Sequence, residues 1–332
     1  MPAHKEDKTT QTADRADYLR SVADELVAVR RRISAQLITG DDSIDAMLRQ
    51  IGLRNGKMLR PALVLLVAKS CGNTTETHIR IAAIVELLHA ATLLHDDVLD
   101  EAQSRRRAST ANCLWGNESA VLLGDFLLGK VFVMCSRLER RDIARVLSDT
   151  AVDICRGELS QNIQRRNFDL TQSRYCEIIK DKTAALFSAC CYVSSLAAGD
   201  EEHRNLRLRE FGLKVGMAFQ ITDDLLDIVG DEASVGKTLG TDLATKKITL
   251  PVIHMLSTVD DGRRLSLIKK LTGKLERTEL REMLEQSGSL DYTRAAAQRY
   301  CAEAVALLET MEGFSDKDGL PAIARSIAAR HF

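Results

Sequence analysis

The sequence predicts an all-α protein, a single domain of ten or more helices, and three observations carry that expectation. Only four prolines, at 2, 61, 251 and 321, occur in 332 residues, so little in the chain forbids long helices. Apolar residues recur at steps of three and four, as in Leu19, Val22, Leu26, Val29 and Ile33, and again in Tyr300, Ala304, Leu307 and Met311. That spacing is the stripe of a helix packed on one side. Alternating apolar and polar segments, the mark of a half-buried strand, are absent from the sequence.

Taken in order, residues 1–14 are polar and read as a loose tail ahead of one domain over 15–332. The opening MPAHKEDKTTQTADRAD lacks the apolar segment of a secretory signal. Glycine and polar clusters at 53–56, 72–77, 199–202 and 230–240 punctuate the helical runs. Gly56-Lys57-Met58-Leu59-Arg60-Pro61 ends in a helix-starting proline, and Pro321, after Gly319, fits the first turn of a last helix. A long apolar segment runs from Ile81 to Leu94, and residues 118–137 are again apolar.

Composition narrows the class. A chain that is 45% hydrophobic can bury one large core or two modest ones. A net charge of −1 gives no global field toward nucleic acid or an anionic membrane. Eight cysteines form no CxxC pair and lie mostly in apolar stretches, as in a reduced, cytoplasmic protein. No uncharged apolar run approaches the roughly 20 residues of a membrane span, so no transmembrane segment is expected.

Two acidic clusters interrupt this apolar pattern. Asp96-Asp97-Val98-Leu99-Asp100 and Asp223-Asp224-Leu225-Leu226-Asp227 both have the form DDxxD and both follow apolar helical runs. At about 100° per residue the first and last aspartate of each fall on nearly one face, a turn apart. Like charges so placed repel, and paired carboxylate arrays suit a hard cation such as Mg²⁺, which completes its shell with water and phosphate oxygens. Basic residues lie nearby: Arg105, Arg106 and Arg107 after the first cluster, Lys237 and Lys247 after the second. His89, seven residues before Asp96, shares its face about 10 Å away along the axis. Gly236-Lys237-Thr238 resembles the end of a phosphate-binding P-loop, but the preceding Gly230 is one residue too distant and no strand precedes it.

These residues bring a family into view. In order stand GKMLRP (56–61), LLHAATLLHDDVLDEAQSRRR (87–107), GN (116–117), GD (124–125), GELSQ (157–161), KTAALF (182–187), GMAFQITDDLLD (216–227) and GKTLGTDLATKKITLP (236–251). In these motifs the chain resembles the trans (E-type) isoprenyl diphosphate synthases, the polyprenyl synthetase family. The resemblance implies an isoprenoid synthase-type bundle around a central cavity, acting as a homodimer with no nucleic-acid partner. It implies a prenyltransferase that joins isopentenyl diphosphate head-to-tail to an allylic diphosphate, with up to three Mg²⁺ ions per site. By that resemblance Asp96, Asp97, Asp100, Asp223, Asp224 and Asp227 are the metal ligands, chiefly the outer aspartates of the first cluster and the leading one of the second. Arg105, Lys182, Thr183, Gln220, Lys237 and Lys247 would hold the allylic diphosphate, and Lys57, Arg60, His89 and Arg106 the isopentenyl diphosphate. Gln161 and Thr183 would lie near the reacting carbons. Asn55, Arg107-Ala108-Ser109 and Ile248 depart from the usual glycine, Gly-Lys-Pro/Ala and proline, without removing a charged contact.

The chemistry implied is loss of diphosphate to an allylic cation, attack by the isopentenyl double bond, and proton loss, with the departing diphosphate as base. Chain length follows from the residues four and five before Asp96. These are Thr92 and Ala91, small where short-chain members commonly carry an aromatic residue, so the tunnel is expected to stay open past Leu88, Leu87 and Ile84. Phe132 or Met134 would supply its floor. The expected product is long, about C30–C50, a quinone side-chain precursor, with a farnesyl or geranylgeranyl diphosphate synthase as the alternative within the family. A class I terpene cyclase would carry a different second metal motif and no use for Lys57, Arg60 and His89. A non-catalytic subunit of a heteromeric synthase would have lost aspartates that this chain keeps.

Overall fold

The structure, a computed structural model, describes residues 19–51, 57–105, 108–231, 239–273, 275–311 and 318–329. The tail expected at 1–14 lies outside them, as do Arg106 and Lys237. The helices are α1 (Ala23–Gln36), α2 (Asp42–Gln50), α3 (Leu59–Ser70), α4 (Glu76–Leu99), α5 (Ala111–Ser136), α6 (Arg141–Ile163) and α7 (Gln172–Ile179). One π-helical turn, Lys180–Ala184, leads into α8 (Ala185–Ala198). There follow α9 (Glu202–Val229), α10 (Thr241–Ala244), α11 (Leu250–Ser257), α12 (Asp261–Thr272), α13 (Arg277–Gln286), α14 (Ser289–Glu309) and α15 (Gly319–Ala328). Among the described residues the only sheet is a hairpin of β1 (Ser104–Arg105) and β2 (Ala108–Ser109), with Ser104 opposite Ser109. The all-α reading of the sequence holds.

The core is built on helices with no polar face. On α3 every residue from Arg60 to Ala68 is buried, and α4 is buried on most sides along its length. Helices apolar all round belong inside a bundle. The largest cluster of buried side chains runs from Val22 to Ile327 and joins α3, α4, α8 and α9. Around it α4 packs on α1, α3 and α5, while α9 packs on α8, α14 and the π turn. Pro61 and Pro321 each stand third in their helices, inside the first turn, where a missing N–H costs nothing.

Local contacts fix where the central helices begin and bend. At the start of α4, the Thr75 N–H donates to His78 Nδ1 at 3.0 Å, so Nε2 carries the proton and faces the Ser194 carbonyl at 3.1 Å. His78 is fully buried, and burial lowers its pKa below the usual value against the weaker pull of that carbonyl. Gly116, at φ 82°, breaks α5 between Trp115 and Asn117, a left-handed conformation that glycine adopts without strain.

Among the described residues two helices, α4 and α5, are long and apolar enough to cross a membrane by length and composition. The sequence expectation rests on uncharged runs alone and so passes over both. In α4, 72% of the apolar window is buried inside the protein, the pattern of a core helix, whereas in α5 the figure is 39%. The outer face of α5 carries Leu114, Val121, Leu122, Phe132 and Val133, and that of α6 carries Val152, Leu159 and Ile163, all exposed. Phe132 is 57% exposed on that face, whereas the neighbouring Met134 is buried. All eight cysteines are free thiols.

Candidate active site

Both acidic clusters occupy the last turns of their helices, the first ending α4 and the second ending α9. There the helix dipole places a partial negative charge, so carboxylates are destabilising unless cations answer them. The fold supplies those cations. Arg105, on β1, donates from Nε to Asp97 Oδ1 at 2.7 Å. Lys247 Nζ meets Asp100 Oδ2 at 2.6 Å, and Arg165 Nη2 meets Asp100 Oδ1 at 3.1 Å.

The second cluster is tied to the π turn. Thr183 donates to Gln220 Oε1 at 2.6 Å, and Gln220 Nε2 donates to Asp224 Oδ1 at 2.6 Å. The Tyr175 hydroxyl takes Asp224 Oδ2 at 2.6 Å. Burial, then the Asp224 charge, raises the Tyr175 pKa well above its usual value, so the phenol stays a donor. Lys182, one residue before Thr183, donates to Gln161 Oε1 at 2.8 Å and pairs with Glu158. Burial alone would lower the Lys182 pKa, but Asp96 and Glu158 outweigh it and hold the ammonium charged.

A π turn seats these two residues because glycine admits helices against it from two sides. A Cβ at Gly157 of α6 would stand 2.2 Å from the Lys182 backbone N, and one at Gly216 of α9 would stand 2.5 Å from Ala184 Cα. Single π turns often mark functional sites, because they re-aim side chains within a helix.

The two clusters therefore meet through one polar network. Asp96 feels the charge of Lys182, whose neighbour Thr183 opens the chain to Asp224. Asp100 holds Lys247, whose backbone N–H donates to the Asp242 carbonyl at 2.9 Å. Asp242 and Thr241 in turn donate to both carboxylate oxygens of Asp227, at 3.1 to 3.4 Å. Asp227 thus anchors the segment carrying Lys247. Asp97, with Arg105, and Asp224, with Tyr175 and Gln220, are likewise engaged by chain donors.

Burial pushes Asp96 up to about 6; Glu158 and Asp100 add to this, while Lys182 and Lys247 oppose it. Crowded carboxylates whose proton affinity rises in this way fit a hard divalent cation, which would reverse the shift. Among the described residues no three of His, Cys, Asp and Glu converge as a ready-made cage.

On the other side of α4, an open cleft is lined by Glu86, His89, Leu93, Asp97, Arg105 and Ala111, among others. His89 opens onto the cleft that reaches Asp97, not Asp96. Arg60 is buried with its guanidinium 4.6 Å from the centroid of Phe187 and 5.8 Å from that of Phe219, a stacked cation–π arrangement. Lys57 is exposed just before α3, where Met58 takes a left-handed conformation at φ 51°. Ala91 is fully buried, and the Thr92 hydroxyl is turned back onto the His89 carbonyl at 2.8 Å. Glu158, Arg165 and Tyr175 join the site without having been expected there. Glu158 lies inside the GELSQ motif, which could have pointed to it; nothing in local spacing marks the other two.

The chain matches the model of the polyprenyl synthetase family over residues 41–287. The protein belongs to that family. Over 311 residues this polyprenyl synthetase is 33% identical to an octaprenyl diphosphate synthase of Escherichia coli, covering 93% of this chain and 96% of that protein. A crystal structure of a decaprenyl diphosphate synthase from Rhodobacter capsulatus superposes with a TM-score of 0.87 at 32% identity, over 95% of this chain and 99% of that one. A polyprenyl synthase from Caulobacter crescentus, crystallised with calcium and isoprenyl diphosphate, does so with a TM-score of 0.88 at 30% identity, over 94% and 97%.

Proposed function

We propose that this polyprenyl synthetase is a divalent-metal-dependent enzyme that condenses isopentenyl diphosphate with an allylic diphosphate into an all-E, long-chain polyprenyl diphosphate. The observation that carries the reading is the joining of two carboxylate-bearing helix ends by Lys182, Thr183, Gln220 and Lys247. Asp96, Asp100 and Asp223 would hold Mg²⁺, which when bound supplies positive charge to the departing diphosphate.

The chain's own groups do the rest. Lys182, Lys247 and Arg105 present fixed cations to an allylic diphosphate and stabilise negative charge as the carbon–oxygen bond breaks. Gln220 and Thr183 orient one another, and Asp224 fixes both. Arg60, Lys57 and His89 would take the isopentenyl diphosphate, whose double bond is then held near the allylic carbon. The proton lost from the new unit goes to the departing diphosphate. Below Asp96, the small Ala91 and the apolar Leu88, Leu87 and Ile84, all buried, would wall a dry path for a growing chain, which supports a product of about C30–C50 over a short-chain one.

The apolar outer faces of α5 and α6 support pairing with a second copy, and the eight thiols support a reducing, cytoplasmic setting. Incubation with farnesyl and isopentenyl diphosphates and Mg²⁺, followed by mass analysis, tests the reading. Polyprenyl diphosphate is expected, and hydrocarbon formed without isopentenyl diphosphate would refute it. Asp96→Ala and Asp223→Ala are each expected to lower turnover by orders of magnitude with unchanged circular dichroism; wild-type rates from either would also refute it.

A further inference from the structure

Arg165 lies two residues beyond the end of α6, and its Nη2 reaches both Asp100 Oδ1 at 3.1 Å and the Leu99 carbonyl at 3.2 Å. A guanidinium is well placed at the carbonyl end of α4, where it answers the helix dipole. Its Nε is buried without a hydrogen-bond partner among the described residues. The other oxygen of Asp100 is held by Lys247. The two cations are also linked through their backbones. The Arg166 N–H donates to the Lys246 carbonyl at 2.9 Å, and both of those residues are left-handed, at φ 63° and 56°.

Asp100 therefore has each oxygen engaged by a different cation, and a divalent ion approaching that carboxylate must compete with both charges. The two partners are not equally held. The Lys247 side chain is 5% exposed, its bond is 2.6 Å, and its segment is anchored by Asp227. The Arg165 side chain is 24% exposed, its bond is 3.1 Å, and its Nε carries an unmet desolvation cost. Arg165 is the weaker clasp.

Resting on the reading proposed above, we infer that Arg165 is a positioning residue that holds and neutralises Asp100 in the metal-free enzyme and is displaced when a divalent ion takes that carboxylate.

The test is Mn²⁺ binding to the purified full chain, without substrate, followed by the loss of the free-ion electron paramagnetic resonance signal. Arg165→Met removes the competing charge and is expected to tighten Mn²⁺ binding on the order of fivefold, as for loss of one partly screened charge. Arg165→Lys restores the charge and is expected to return toward wild type. Should Arg165→Met fail to fold, Arg165→Gln keeps a donor toward Leu99 and is expected to show the same tightening. Unchanged or weaker Mn²⁺ binding in the neutral variants overturns the inference and leaves Arg165 a helix-end clasp. Condensation activity is measured alongside. A wild type that condenses but takes up no Mn²⁺ alone overturns the inference while the reading stands; one that does not condense takes down both.

Discussion

Replacing Gly157 with alanine sets two effects against one another. In the middle of α6, alanine is a better helix residue than glycine by about 0.5–1 kcal/mol. The new Cβ, however, would stand 2.2 Å from the Lys182 backbone N, 2.7 Å from its Cα and 2.9 Å from the Asp181 carbonyl carbon. Ordinary contact is about 3.5 Å, so the closest pair is short by roughly 1.3 Å. These are backbone atoms that no rotamer change removes, and relief requires α6 and the π turn to move apart. Overpacking of this kind costs about 1–3 kcal/mol, so the net loss of stability is expected to be about 0–2.5 kcal/mol and the variant remains folded. Activity is the more sensitive readout. Lys182 and Thr183 ride on the displaced turn, and a shift of about 1 Å in positioning groups lowers turnover on the order of a hundredfold. Urea unfolding and steady-state kcat on the same preparation measure both. A Gly157→Ala enzyme with wild-type kcat and raised stability would show that the π turn is not what positions the site.

Other outcomes can be checked separately. His78 is held neutral by burial, its pKa below the usual 6.5. The unfolded chain therefore takes up the proton first, and stability present above pH 6.5 is lost as pH falls below it. The drop in melting temperature between about pH 7.5 and about pH 5.5 is expected to be smaller in His78→Gln than in the wild type; an equal drop would remove His78 as its cause. Lys247→Met leaves Asp100 with Arg165 alone and is expected to lower stability by about 1–3 kcal/mol in denaturant unfolding, and kcat with it. Among the eight thiols, Cys113 and Cys155 are exposed while Cys190 and Cys191 are buried, with burial pushing the Cys190 thiol up to about 12. Mass spectrometry after brief alkylation is expected to find label on the first two and none on the second pair.

Much of this architecture is legible in the sequence, and the parts that are not share physical causes. The helices carrying the two acid clusters stand out because carboxylates crowded at the end of an apolar run are costly unless cations meet them. The face of α5 does not stand out. A helix apolar on every side does not say which side meets its own core, and Phe132, expected inside, stands outside. The π turn is hidden because a single wide turn leaves the apolar spacing of its neighbours intact. Pairings such as Lys247 with Asp100, 147 positions apart, and Tyr175 with Asp224 depend on how helices cross, which spacing along the chain cannot report. Asp227 belongs to one set with Asp223 and Asp224 by spacing, yet its carboxylate is turned to Thr241 and Asp242.

The placement of both acid clusters at the negative poles of α4 and α9 has an evolutionary corollary. Asp96, which burial and its acidic neighbours hold well above the ordinary carboxylate range, is a standing liability, tolerated while turnover is under selection. A duplicated copy relieved of catalysis would gain ruggedness by shedding this acid, and drift should show there first, ahead of Asp97, Asp100, Asp224 and Asp227, whose carboxylates hold other segments in place.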